Sequence, residues 1–126
     1  VGFLSAHNRV AEVPVSAFAR AAAADGAEVT VQHIRLVANQ PIPWHTHPGP
    51  VWVLVERGAF TYEYAQGSKC IRTTYEAGSG FVDPGFGKIH QATAGPAGAE
   101  LYALYVFPPG SANHLIPTAP DPACTS

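Results

Sequence analysis

From Glu28 onward the chain exchanges side-chain character every second residue. Val29, Val31 and Val37 alternate with Thr30, Gln32 and Leu36, a period that predicts a strand over 28–38. Pro41-Ile42-Pro43 then disfavours helix and delivers Trp44 and the residues after it in an extended conformation. The β-branched run from Val51 to Val55 stops at Gly58, and Phe60, Tyr62 and Tyr64 alternate up to the turn at Gly67-Ser68, so these two segments read as a hairpin. Further strands are predicted at 70–74, 80–82, 89–94 and 100–107, separated by glycine-bearing turns at 77–80, 84–87 and 95–98. The alanine-rich piece Phe18 to Asp25, with Gly26 as its stop, is the one helical suggestion. Short, evenly spaced strands with glycine turns predict an all-β fold, a barrel or jelly roll in preference to an open sheet.

Length adds the expectation of a single domain spanning 1–126, with its core over about 28–108, an N-terminal arm and a proline-rich C-terminal tail. Charged residues make up only 13% and the formal net charge is −2, which leaves no basic face for nucleic acid. No apolar run reaches the roughly 18 residues of a membrane span, so no membrane partner is expected. Two cysteines, no methionine, few lysines and abundant Ala, Gly and Pro fit an exported bacterial protein, secreted or periplasmic, whose signal has been removed. In that setting Cys70 and Cys124 are expected to form a disulfide, tying the segment Pro117 to Pro122 back onto the barrel.

The chemistry is carried by histidine. His45 and His47 stand two apart in an extended segment, so their side chains leave the same face and can share one ion. His90 opens another predicted strand, and a third imidazole from there would complete a set with open positions for water or substrate. His33 lies on the first strand as a core or hydrogen-bonding residue, and His7 and His114 fall in irregular flanks unless the tails fold over the barrel mouth. Asp83, before Pro84, reads as a turn cap. Nothing resembles a Ser-His-Asp triad or paired carboxylates, so hydrolysis by those routes has no support.

These residues resemble the two motifs of the cupin superfamily. His45-Thr46-His47 leads to Gly58 at the distance of the first motif. Gly78, Pro84 and Gly87-Lys88-Ile89-His90 follow the second with one extra residue, and Ala94 stands where an Asn is usual. The resemblance covers about residues 28–108 and implies a cupin jelly-roll β-barrel with one mononuclear metal ion on His45, His47 and His90. Two departures stand out: Asn39-Gln40-Pro41 replaces a glycine in the approach, and Val51 occupies the place of the usual glutamate ligand, with Glu56 too far along the strand to substitute. The resemblance therefore implies three neutral imidazoles around the ion.

Such a shell suits copper first, then iron, then zinc. A redox-active ion with open positions points to an oxidoreductase using dioxygen or peroxide, with His45, His47 and His90 as its catalytic ligands. Being a bare exported barrel with three histidines, the chain is similar to small copper cupins that cleave cellulose oxidatively, although no motif here is diagnostic of that substrate. Trp44, Trp52 and Tyr62 are the candidate rings for stacking on cellulose or another polysaccharide. The alternatives are an iron(II) three-histidine dioxygenase acting on a small molecule, or a binding cupin in which a metal merely anchors a ligand. Open barrel edges further predict a homodimer.

Overall fold

The structure, a computed structural model, describes residues 26–111 and 114–125, so the expected helix over 18–25 and His7 lie outside the described residues. Seven strands follow one another: β1 (Glu28–Leu36), β2 (Pro41–Thr46), β3 (Val51–Gln66), β4 (Lys69–Glu76), β5 (Gly80–Asp83), β6 (His90–Phe107) and β7 (Ile116–Pro117), before a 3-10 turn at Pro122–Cys124. Every pairing is antiparallel. One path of the sheet runs β4-β3-β6-β2-β7, and β1 and β5 join it on β6 and β3.

The long strands β3 and β6 organise this arrangement. Residues 51–58 of β3 pair with 99–105 of β6, where β1 and β5 flank them, whereas residues 60–63 pair with 91–94, where β4 and β2 flank them. The sheet thus has two halves joined by the same two bent strands, and side chains from both halves enclose one interior. Inward positions mark the bends. On β3 they are Val51, Val53 and Val55, then Phe60 and Tyr62; on β6 they are His90, Ala92 and Ala94, then Ala99, Leu101, Ala103 and Tyr105. Both series change between odd and even, which an uninterrupted strand of period two cannot do. The register shifts between Val55 and Arg57 and between Gly58 and Phe60 are the bulges responsible.

Two sequence expectations are corrected here. The segments 51–55 and 60–64 are one strand and not a hairpin, and 95–98 is an irregularity inside β6 and not a turn between strands. The glycines expected to end strands bend them instead. Gly58 has φ +72° and Gly98 φ +81°, and a Cβ on Gly58 would fall onto the backbone of Gly98, so the two strands kink where only glycine allows them to touch. The true hairpin joins β3 to β4 around Gly67-Ser68, with Gln66 opposite Lys69.

The core has two clusters. Val55, Phe60, Ala92, Ala94, Ala99 and Leu101 form one, and Val51, Ala103, Tyr105 and Phe107 the other, with Ile34 and Val53 packed against both. On β1 the inward residues are Gln32, Ile34 and Leu36, and the valine face looks outward, Val31 being 56% exposed. Gln32 is held in place by Tyr105, whose hydroxyl donates to its side-chain oxygen at 2.8 Å. The cysteines do meet: Cys70 on β4 is bonded to Cys124, with Cα atoms 5.0 Å apart.

Candidate metal centre

His45 on β2 and His90 at the start of β6 are direct partners across the ladder, and cross-strand partners project to the same side. His47 follows just beyond the end of β2. The three rings lie with centroids 4.1 to 5.1 Å apart, and one nitrogen from each lies within 4.8 Å of the others. The loops behind the histidines are locked together as well. Phe86 N–H donates to the His47 carbonyl at 2.9 Å, and Gly85 packs so tightly on Gly49 that a Cβ there would strike its backbone.

The three imidazoles are oriented from behind. His45 Nδ1 faces the Pro43 carbonyl at 2.7 Å, His47 Nδ1 faces the His114 carbonyl, and His90 Nδ1 faces the Lys88 carbonyl at 3.4 Å. Each carbonyl accepts only from an N–H, so each ring carries its proton on Nδ1 and presents Nε2 as a bare lone pair. Burial holds two rings neutral. Desolvation, opposed by the Pro43 carbonyl and aided by His47, lowers His45 to about 4. His90 is lowered to about 3 by desolvation and then by His45 and His47. Neutral imidazoles with fixed tautomers are the protonation state that metal binding requires.

Asp83 is the residue sequence reasoning undervalued. It does cap its turn, Gly85 N–H donating to Oδ1 at 2.9 Å. Its other oxygen, Oδ2, lies 3.0 Å from His90 Nδ1 and 3.7 Å from His47 Nε2 and makes no hydrogen bond among the described residues. The side chain is buried, and burial pushes its carboxyl above the ordinary range against the pull of the Gly85 N–H. The three-histidine cluster stands as expected, and a buried acid contributed by β5 lies against it. Tyr62 is its neighbour, with its hydroxyl likewise buried and its acidity suppressed by burial and then by the adjacent carboxylate of Asp83. The donor set fits a divalent ion: three convergent lone pairs and an unsatisfied carboxylate oxygen are what a cation recruits.

These groups line a cavity of about 320 Å³ whose other walls are mainly apolar, including Ile34, Ile42, Val51, Val53, Phe60 and Phe81. The tail closes over it. β7 pairs with β2, placing Pro117 opposite His45, the His114 ring stacks on Tyr105 with centroids 4.9 Å apart, and Leu115 joins the lining. The tail's role was foreseeable only in outline, because nothing in its composition says which strand it pairs with.

The aromatic expectation is corrected. Trp44 is 8% exposed and Tyr62 is 4% exposed within the cavity wall, so neither offers a flat face to a polymer at the surface. Trp52 is half-buried on the opposite face of β3 from Val51 and Val53. His33 also lies away from the centre, stacked on Tyr102 and bonded to Glu100 at 2.6 Å.

Comparison with solved structures agrees with this architecture. A cupin superfamily protein of Desulfitobacterium hafniense superposes with a TM-score of 0.54 at 10% identity, covering 63% of this chain and 67% of that one. The fold is that of the cupins. Oxalate decarboxylase of Bacillus subtilis, a protein with Mn(II) centres, superposes with a TM-score of 0.63 at 18% identity over 75% of this chain, which matches only 25% of that enzyme's length. A cupin-2 domain protein of Shewanella frigidimarina gives 0.52 at 16% identity, over 62% of this chain and 70% of its own. The sequence itself matches no protein-family model and no curated protein.

Proposed function

We propose that this cupin is a mononuclear metal-dependent oxidoreductase acting on a small molecule taken into the barrel. The observation that carries the reading is burial: His45, His47 and His90 are 3%, 7% and 4% exposed, at the wall of a cavity of about 320 Å³. That volume suits a small molecule. An insoluble glucan chain would have to meet its ion at a surface, and the buried positions of Trp44 and Tyr62 remove the support for polysaccharide cleavage.

A redox-active ion held there would supply one-electron chemistry towards dioxygen or peroxide. The chain's own residues supply the rest. Val51, Val53, Phe60 and Phe81 keep water from the reacting groups, and Leu115 covers them from the tail. Tyr62 presents a hydroxyl to the same space, where Oη can donate a hydrogen bond to a bound molecule. A carboxylate beside the imidazoles narrows the advantage of copper over iron(II). The Cys70–Cys124 disulfide supports an exported location, and among the described residues no helix is long and apolar enough to cross a membrane. The homodimer expected from open strand edges belongs to the same proposal and is read by sedimentation velocity.

The test is anaerobic loading with iron(II) or copper, followed by dioxygen uptake with a panel of small carboxylates, thiols and diketones alongside swollen cellulose. Uptake with a small molecule and none with cellulose is expected. Turnover of cellulose alone would overturn the substrate reading, and tight binding of zinc only, without uptake, would make the chain a binding module.

A further inference from the structure

Asp83 is the direct ladder partner of Val51, β5 against β3, and both side chains line the cavity. An acid at position 83 therefore reaches the same side of the barrel as an acid at position 51 would. The side chain is 1% exposed, its Oδ1 is committed to Gly85 N–H, and its Oδ2 has no hydrogen-bond partner among the described residues. Leaving one oxygen of a buried carboxylate without a strong partner is costly, and a cation seated against it removes that cost. The nearest nitrogens are His47 Nε2 at 3.7 Å and His90 Nδ1 at 3.0 Å. His90 Nδ1 already faces the Lys88 carbonyl, so its proton is directed away from Asp83. His47 Nε2, by contrast, is a bare lone pair. Two donors bound at about 2.0–2.2 Å to one ion, at angles between octahedral and tetrahedral, stand about 3 to 3.6 Å apart. The observed separation of 3.7 Å lies just beyond that range, so binding one ion would draw the two donors slightly together.

We propose that Asp83 is a fourth protein ligand of the metal centre, binding through Oδ2 beside the Nε2 atoms of His45, His47 and His90. This rests on reading the histidine cluster as a metal site. The anionic oxygen cancels one of the ion's two positive charges inside an apolar cavity, and it is a hard donor. Manganese(II) and iron(II) consequently gain on copper(II) compared with three imidazoles alone.

The decisive experiment uses the unmutated protein. Chains grown with aspartate labelled with carbon-13 in the carboxyl group are loaded with manganese(II), and electron-nuclear double resonance is recorded. A strongly coupled carbon-13 line that disappears in Asp83→Asn is expected, and its absence from the wild-type spectrum overturns the proposal. Titrations add a second readout. Asp83→Asn, which keeps an acceptor for Gly85 N–H, should weaken manganese(II) binding by about 100-fold or more, the upper end of what losing an outer partner costs, and copper(II) binding less. In the double variant Asp83→Asn/Val51→Glu the carboxylate returns from the opposite strand, and manganese(II) affinity should recover. Equal losses for both ions, with no recovery in the double variant, would make Asp83 a positioning group and defeat the ligand assignment. If His45→Ala, His47→Ala and His90→Ala also leave binding unchanged, the metal-site reading itself has failed.

Discussion

At the scale of single residues, the centre depends on imidazoles held neutral and pointed by backbone carbonyls. His45→Ala, His47→Ala and His90→Ala should each lower metal affinity beyond the roughly 100-fold that loss of an outer partner brings. His33→Ala should not, because that ring is bonded to Glu100 away from the centre. His114→Ala is an informative control: the group that orients His47 is the His114 backbone carbonyl, which survives the substitution, so calorimetric titration should give near-native affinity. The same burial has a pH consequence in the metal-free protein. His45 and His90 titrate at about 4 and about 3 when folded and near the ordinary 6.5 when unfolded. Between these values the unfolded chain binds more protons, so stability is full above about pH 6.5 and falls as the pH drops towards 4. Two such groups give at most about 2.7 kcal/mol per pH unit between pH 6 and 5, reduced by Asp83, whose raised carboxyl takes up its proton more readily in the folded protein. Urea midpoints of metal-free protein across this window measure it. His90→Gln should remove roughly half of the imidazole contribution, and a profile that this substitution leaves unchanged would contradict the burial argument.

At the scale of elements, β3 and β6 each serve two halves of the sheet because each bends at glycine. Gly58→Ala is expected to cost on the order of 1–3 kcal/mol, since φ +72° is strained for any residue with a Cβ and that atom would meet the Gly98 backbone. Denaturant midpoints of the metal-loaded protein would register the loss, whereas Gly67→Ala, where a Cβ meets nothing within 4 Å, should be milder. The bends explain what could be read in advance. Val51, Val53 and Val55 against Phe60 and Tyr62 place the apolar positions correctly, but a glycine between two alternating runs looks the same whether the chain reverses or merely bulges. Long-range pairing decides between these, and no local pattern contains it. The histidine triad was legible because His45-Thr46-His47 carries its geometry in its spacing and His90 follows a recognisable turn. Asp83 was not, because its relation to the centre comes from being opposite Val51 on another strand. Trp44 misled for a similar reason: the tail that pairs along β2 beside it cannot be seen from its neighbours in sequence.

At the scale of the whole molecule, the tail connects the metal centre to the disulfide. It pairs with β2 at Ile116–Pro117, donates from Thr118 N–H to the Trp44 carbonyl at 3.0 Å, and ends in a 3-10 turn in contact with β3 and β4. There Cys124 is bonded to Cys70, closing a separation of 54 residues. The tail therefore runs between the two ends of the path β4-β3-β6-β2-β7, and its start supplies both Leu115 in the cavity wall and the carbonyl that orients His47. β7 has only two residues, too few to hold the tail alone, so the covalent tether is what keeps the orienting carbonyl in place. Cys70→Ser/Cys124→Ser should lower unfolding free energy by about 2–4 kcal/mol through the released loop entropy. It should also weaken metal binding, because a freed tail leaves His47 Nδ1 without its acceptor and the tautomer unfixed. The stability loss alone would follow from any disulfide. The linked effect is specific: melting curves and metal titrations on the double serine variant should both shift, and the affinity loss should exceed that of His114→Ala. Native affinity in the disulfide-free protein would mean that β7 and its hydrogen bonds seat the tail unaided.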